Sequence, residues 1–113
     1  MFLDHLECAQ RGDIAADIER NFSTACTLLT SYGVFRGHDG VKAAAALLDQ
    51  QIGRTNYRYR TQMTDGEVPF LEWTAESSRA WIDDGADSYL IRNGRIEAMT
   101  IHYTVRSKHD QSA

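Results

Sequence analysis

The fold turns on Asp83–Val105, DDGADSYLIRNGRIEAMTIHYTV. Two alternating, largely apolar runs flank Arg92-Asn93-Gly94, and an Asn-Gly pair between such runs is a strong β-hairpin signal. One carboxylate, Asp87, interrupts the apolar alternation, so the hairpin register decides what that acid faces. A two-residue loop at Asn93-Gly94 pairs Asp87 with Thr100 and puts it on the face of Ala98 and His102. A three-residue loop, with Gly94 left-handed in a bulge, pairs it with Met99 beside Ile101 and Tyr103. The second register is preferred, because Met99, Ile101, Tyr103 and Val105 then make one apolar wall with Tyr89 and Ile91. A carboxylate there costs free energy unless it is paired or protonated.

Upstream of the hairpin the pattern has period two. Tyr57–Met63 reads as a strand, Thr64-Asp65-Gly66-Glu67 as a turn, and Val68–Glu76 as the next strand, with Pro69 near its start for want of an amide donor. Ser77–Arg79 is a loop, and Ala80–Asp84 leads into the hairpin. Before Asn56 the period is helical. Phe2, Leu6 and Ala9 mark a short amphipathic helix over residues 2–11, ending near Gly12. Asp13 is set to cap a second helix whose face carries Ile14, Ile18 and Phe22. A strand over Cys26–Ser31 and an extended stretch from Tyr32 follow. Asp39 is placed to cap a third helix, Val41–Ile52, with Val41, Ala44, Ala45, Leu48 and Ile52 inward and Gly53 at its end. The tail from Arg106 to Ala113 has no apolar anchor and is expected to fray.

Helices first and antiparallel strands afterwards is an α+β order, with the helices covering one face of a curved sheet and leaving a concave space suited to a ligand. The 113 residues suffice for one domain with a real core. A net charge of −4 offers no basic footprint for nucleic acid. Cys8 and Cys26 have neither metal nor disulfide spacing, and no apolar run reaches membrane-spanning length. A cytoplasmic protein with two buried thiols is the default expectation.

The order of helix, Gly12-Asp13-Ile14, strand, Phe35-Arg36-Gly37-His38-Asp39-Gly40-Val41, helix, four strands and the closing Arg92-Asn93-Gly94-Arg95-Ile96 resembles the nuclear transport factor 2-like superfamily. Within it, the chain is most similar to the SnoaL-like polyketide cyclase and ketosteroid isomerase branch, over about Leu3 to Val105. The resemblance implies a conical domain with a deep apolar pocket, no metal or organic cofactor, and a homodimer through the open sheet face. It lays the oxyanion-hole acid of the isomerases on Asp87 and their tyrosine on His5. Their proton-moving aspartate falls near Thr30, which cannot abstract a carbon-bound proton at neutral pH, so steroid isomerisation itself is not implied. It also turns Val68, Phe70, Glu72 and Thr74 into the pocket and leaves Leu71, Trp73 and Leu90 on the convex face.

The candidate catalytic residues are thus Asp87, His5 and Glu72. Asp87, with a pKa raised by apolar surroundings, suits a hydrogen-bond donor or general acid; the bland reading is a turn cap or a pair with Arg60. Glu72 either shares the pocket, splitting the two carboxyl pKa values, or is a solvated strand residue. His5 either works on a carbonyl or sits half exposed on a terminal helix. His102 is expected on the convex face and His38 in a loop. Tyr32, Phe70, Tyr89, Met99, Ile101 and Tyr103 are the expected ligand-pocket side chains, the tyrosines either offering hydroxyl handles or simply packing. No nucleophile elbow, phosphate loop or metal cluster is present. The expected function is acid/base catalysis on a small apolar or carbonyl-bearing molecule; the alternative is a non-catalytic dimeric binding module.

Overall fold

The computed structural model describes residues 1–108. Two short helices, α1 (Phe2–Arg11) and α2 (Ile14–Asn21), precede β1 (Phe22–Thr30) and β2 (Gly33–Arg36). The long helix α3 (Gly37–Ile52) follows, and then β3 (Asn56–Asp65), β4 (Val68–Glu76), β5 (Ala80–Arg92), β6 (Arg95–His102) and the short β7 (Arg106–Ser107). The strands lie in the order β2-β1-β6-β5-β4-β3, with β7 beside the start of β5. Every pairing is antiparallel except β1 with β6. This is the expected α+β arrangement: helices packed on one side of an open, curved, mainly antiparallel sheet. Extra residues on β1, β3, β5 and β6 break the register and bend the sheet.

Local chemistry explains most boundaries. Gly12 closes α1 in a left-handed conformation, and Asp13 accepts from the Ala16 amide to start α2. Helix α2 stops at Asn21, so Phe22 is the first residue of β1 and not the last of a helix face. Helix α3 begins four residues earlier than expected, straight out of β2. Asp39 therefore lies inside its first turn and caps nothing with its side chain, although its charge still suits the helix N-terminus. The tail expected to fray is tied down at first: Arg106 and Ser107 pair with Trp81 and Ala80, and the Arg106 and Lys108 cations sit 5.5 and 5.0 Å from the Trp81 ring. Residues 109–113 of that tail lie outside the described residues.

The hairpin register matches neither expectation. Arg92 faces Arg95, so the loop is the two-residue Asn93-Gly94, both with left-handed φ (53° and 72°). A bulge then inserts one extra residue before Ala98, and Asp87 pairs with Ile101. This partner is two residues from the expected Met99, so the face is unchanged, and Asp87 lies with Tyr89, Met99 and Ile101. On β4 the expected parity is reversed. Leu71 faces Asp87 and Trp73 faces Gly85, which turns Leu71, Trp73 and Ala75 into the core and Glu72 outward. Gly85 makes room for this, since a methyl group there would stand 2.3 Å from the Trp73 indole.

Candidate functional site

Four elements bring polar side chains to one buried point. Asp87, from β5, is 7% exposed. The Trp73 indole Nε1, from β4, donates to one of its oxygens at 3.1 Å, and the Tyr89 hydroxyl approaches the other at 3.3 Å. On the far side of that hydroxyl stands His5 of α1, its Nε2 3.2 Å from the Tyr89 oxygen. The other ring nitrogen, Nδ1, meets both oxygens of Asp17 on α2 at 2.8 and 3.0 Å. Asp17 also accepts from the Asn21 amide (2.9 Å), which in turn donates to Asp4. Phe22 and Tyr89 meet the imidazole edge to face, with centroids at 5.5 and 5.4 Å. His5 is therefore held on both nitrogens and packed on both sides.

Burial sets the electrostatics. It drives the Asp87 carboxyl up to about 6 from an ordinary 3.8, against the opposing pull of the Trp73 hydrogen bond, the His5 charge and the Tyr89 hydrogen bond. Burial, and then the neighbouring Asp87 charge, puts the Tyr89 phenol well above its usual value. Burial likewise pushes Tyr59 and Tyr103 up to about 12. The phenols thus remain neutral donors and acceptors throughout the ordinary pH range.

Beside this network lies a cavity of about 570 Å³ between α3 and the inner sheet face. Val41, Ala44 and Leu48 form its helical side, and Leu28, Leu71, Met99 and Ile101 its sheet side. An aromatic belt of Tyr57, Trp73, Tyr103 and Tyr32 runs along it, each ring within 6 Å of the next (5.5, 5.9 and 5.5 Å). His5 and Asp17 stand together at its wall, and Lys42 and Asp49 of α3 also border it. Asp87 and Tyr89 lie behind that wall and do not border the cavity.

The expected site residues thus divide. Tyr32, Met99, Ile101 and Tyr103 border the cavity together with His5, which is buried and not half exposed. Asp87 is joined to His5 through Tyr89, and Trp73 and Tyr89 take the place of the Arg60 pair considered for it. Glu72, Phe70 and Tyr89 are corrections: the first two belong to the outer face, where Glu72 is exposed, and Tyr89 packs behind the cavity wall between His5 and Asp87. Trp73, expected outside, is a wall residue and a donor to Asp87. Thr30 borders the cavity, but its hydroxyl is occupied in the β1–β2 turn by the Gly33 carbonyl and the Tyr32 amide. His102 lies outside beside Asp84 at 3.4 Å, and His38 is in the first turn of α3, bonded to the Phe22 carbonyl. Sequence reasoning missed Asp17 and Asn21. Their spacing of four, interleaved with Ile14 and Ile18, was the available signal of polar groups beside a buried helical stripe. Among the described residues, no group of three or more His, Cys, Asp or Glu side chains could hold a metal ion. No described helix is long and apolar enough to cross a membrane.

Solved structures with the same architecture are numerous, whereas no family model and no curated protein matches the sequence. A nuclear transport factor 2-like protein of unknown function from Cytophaga hutchinsonii superposes with a TM-score of 0.73 at 13% identity, over 91% of this chain and 96% of that one. A candidate isomerase of the SnoaL-like family from Agrobacterium tumefaciens gives 0.69 at 13%, over 90% and 96%. A candidate polyketide cyclase from Sinorhizobium meliloti gives 0.68 at 14%, over 84% and 86%. The chain has the nuclear transport factor 2-like fold. At such identities the likeness carries the fold and stops there.

Proposed function

We propose that this chain is a cofactor-independent enzyme of isomerase, cyclase or hydrolase type, acting by acid/base chemistry on a small apolar or carbonyl-bearing molecule. The observation that carries the reading is His5: an imidazole on the wall of an apolar cavity, oriented by Asp17 and backed by Tyr89 and Asp87. Such a cavity gives a ligand few polar partners, so the His5–Asp17 pair on one side, with Lys42 and Asp49 of α3, fixes its orientation. The neighbours named as a SnoaL-like isomerase and a polyketide cyclase support the same class. The test is hydrogen–deuterium exchange at the α-carbons of a panel of apolar cyclic ketones, followed by NMR. Exchange above the solvent rate should fall about 10²–10⁴-fold in His5→Gln. A non-catalytic binding module is the second reading. It is favoured by the absence, among the described residues, of any buried side-chain polar atom left without a partner. Saturable ligand binding with no exchange would select it.

A homodimer through the outer sheet face belongs to the same proposal. One row across six strands reads Met63, Phe70, Ser88, Thr100, Leu29, Val34. Its ends are apolar and open, with Met63 60%, Leu29 49% and Val34 52% exposed. The row is apolar at both ends and small and polar in the middle, so a second copy turned by a two-fold axis sets Met63 and Phe70 over Val34 and Leu29. A cytoplasmic location is proposed with it, from two free, buried cysteines.

A further inference from the structure

The hydrogen bonds around Tyr89 do not balance unless one extra proton is present. Asp17 accepts the Nδ1 hydrogen of His5 and the Asn21 amide hydrogen, which leaves Nε2 as the nitrogen whose state can change. Nε2 lies 3.2 Å from the Tyr89 oxygen, and Asp87 Oδ2 lies 3.3 Å from it on the other side. A phenol has one hydrogen. With neither neighbour protonated, Nε2 and Oδ2 compete for it, and one buried acceptor goes unpaired at a cost of roughly 1–3 kcal/mol. With both protonated, the oxygen receives two donors and its own hydrogen has no acceptor. Only one added proton completes both bonds, and it can sit at either end.

We infer that His5, Tyr89 and Asp87 form a proton wire, in which the buried acid supplies and recovers a proton at the cavity wall without touching the ligand. This rests on the acid/base reading of the site. In one state Asp87 carries the hydrogen, donates it to the Tyr89 oxygen, and Tyr89 donates to a neutral Nε2. In the other, Nε2–H donates to the Tyr89 oxygen and Tyr89 donates to the Asp87 carboxylate. Passage from the first to the second breaks the Asp87 O–H and the old Tyr89 O–H. It forms a new Tyr89 O–H and an Nε2–H, turning acid and imidazole into carboxylate and imidazolium. The imidazolium keeps its Nε2–H on the Tyr89 oxygen, so the hydrogen that leaves is the one on Nδ1. The Nδ1–H bond breaks, and the hydrogen passes to Asp17, which borders the cavity beside His5. Asp17 gives it to a ligand atom and regains one from the ligand or from water.

The groups facing this wire fit the role. Tyr57 and Tyr59 on β3 and Tyr103 beyond β6 sense the Asp87 charge and stay neutral, since burial raises all three. Asp17 holds the other ring nitrogen of His5, and Trp73 the other oxygen of Asp87. Burial, opposed by the Trp73 bond, the His5 charge and the Tyr89 bond, puts the acid at about 6, where a proton is neither trapped nor lost.

The test follows two reporters against pH: the His5 ring nitrogens by ¹⁵N NMR, assigned with His5→Gln, and the protonated carboxyl by infrared difference spectra, assigned with Asp87→Asn. In the wild type both should change at the same midpoints, with one proton between them across the plateau. In Tyr89→Phe each should follow its own curve, and Asp87 should rise further, by roughly one pH unit, having lost a donor. In Asp87→Asn, whose amide can donate to the Tyr89 oxygen, Nε2 should stay bare and hydrogen-bonded across that window. Identical curves in wild type and Tyr89→Phe would overturn the wire, as would an Nε2 signal indifferent to Asp87→Asn. Either result leaves the ketone-exchange assay to decide the enzyme reading separately. Should Tyr89→Phe fail to fold, the Asp87→Asn spectra decide alone.

Discussion

Two rows of the same sheet, one residue apart, have opposite characters. The inner row runs Gln62, Leu71, Asp87, Ile101, Thr30; the outer row runs Met63, Phe70, Ser88, Thr100, Leu29. The inner face buries an acid and meets it with an indole and a phenol. The outer row exposes large apolar side chains at its ends and has Ser88 and Thr100 at its centre. A monomer built for water alone would reverse this. The inner row thus carries a burial cost that its hydrogen bonds offset, and the outer row leaves large apolar side chains in the open.

The largest test of this contrast is a matched pair of truncations. Trp73→Ala should cost about 3–5 kcal/mol, because it empties a core position and strips Asp87 of a donor. For a domain of this size that is a fall of roughly 15–30 °C in melting temperature. Phe70→Ala, three residues away on the same strand but on the outer, partly exposed side, should cost well under half as much. Equal losses in calorimetry would mean that the two faces are not distinct.

Asp87→Asn should act next most strongly, and in the stabilising direction. The folded chain holds the Asp87 proton up to about pH 6, while the unfolded chain releases it near 3.8. Protons are thus lost from the unfolded state first, and stability falls as pH rises through that interval and levels off above it. The interval corresponds to on the order of 3 kcal/mol. Asp87→Asn should flatten this part of the urea-midpoint profile and gain most of that amount at pH 7. A wild-type profile without a decline between pH 4 and 6 would mean that the acid is not buried.

Gly85 offers a subtler perturbation of the inner face. A methyl group there meets the Trp73 ring at 2.3 Å, so Gly85→Ala has to push the indole aside, at about 1–3 kcal/mol. Its signature is a weaker Trp73–Asp87 bond and a further rise of the Asp87 pKa in the same infrared titration. A change in stability with the carboxyl untouched would show that the indole does not hold the acid in place.

How much of this was legible before the structure depended on parity. The Asn93-Gly94 turn, the Gly12 stop and the Asp13 cap are short-range chemistry, and each residue carries its own signal. The partner of Asp87 was misplaced by two residues, because the sequence does not show that the hairpin takes a two-residue turn and then a bulge. An even slip preserves the face, so Asp87 stayed with Tyr89, Met99 and Ile101. On β4 the slip was odd, and Phe70 and Glu72 exchanged places with Leu71 and Trp73. Both parities there carry apolar residues, and Pro69 marks where an amide is missing but not which way its neighbours point. The deciding cue was long-range: a glycine, Gly85, opposite the bulkiest side chain of the strand. For Asp17 the spacing with Asn21 was legible but the pairing was not, for a similar reason. Its partner His5 lies on another helix, and only the corner at Gly12-Asp13 brings the two together.

The smallest effect on stability is expected from the outer face, and it says the most about assembly. Leu29→Asp puts a charge at a position that is 49% exposed in the single chain, so the isolated domain should lose no more than about 0.5 kcal/mol. If a second copy covers the row, that carboxylate is buried at both ends of the interface, against the apolar Phe70 and Met63 end of the other copy. It has no partner there for its charge, and the dimer should dissociate. Sedimentation at several concentrations separates the cases. A wild-type dimer and a folded Leu29→Asp monomer place the interface on this row. A wild-type chain that stays monomeric, or a variant that still dimerises, removes it, and the exposed Met63, Leu29 and Val34 then need another partner.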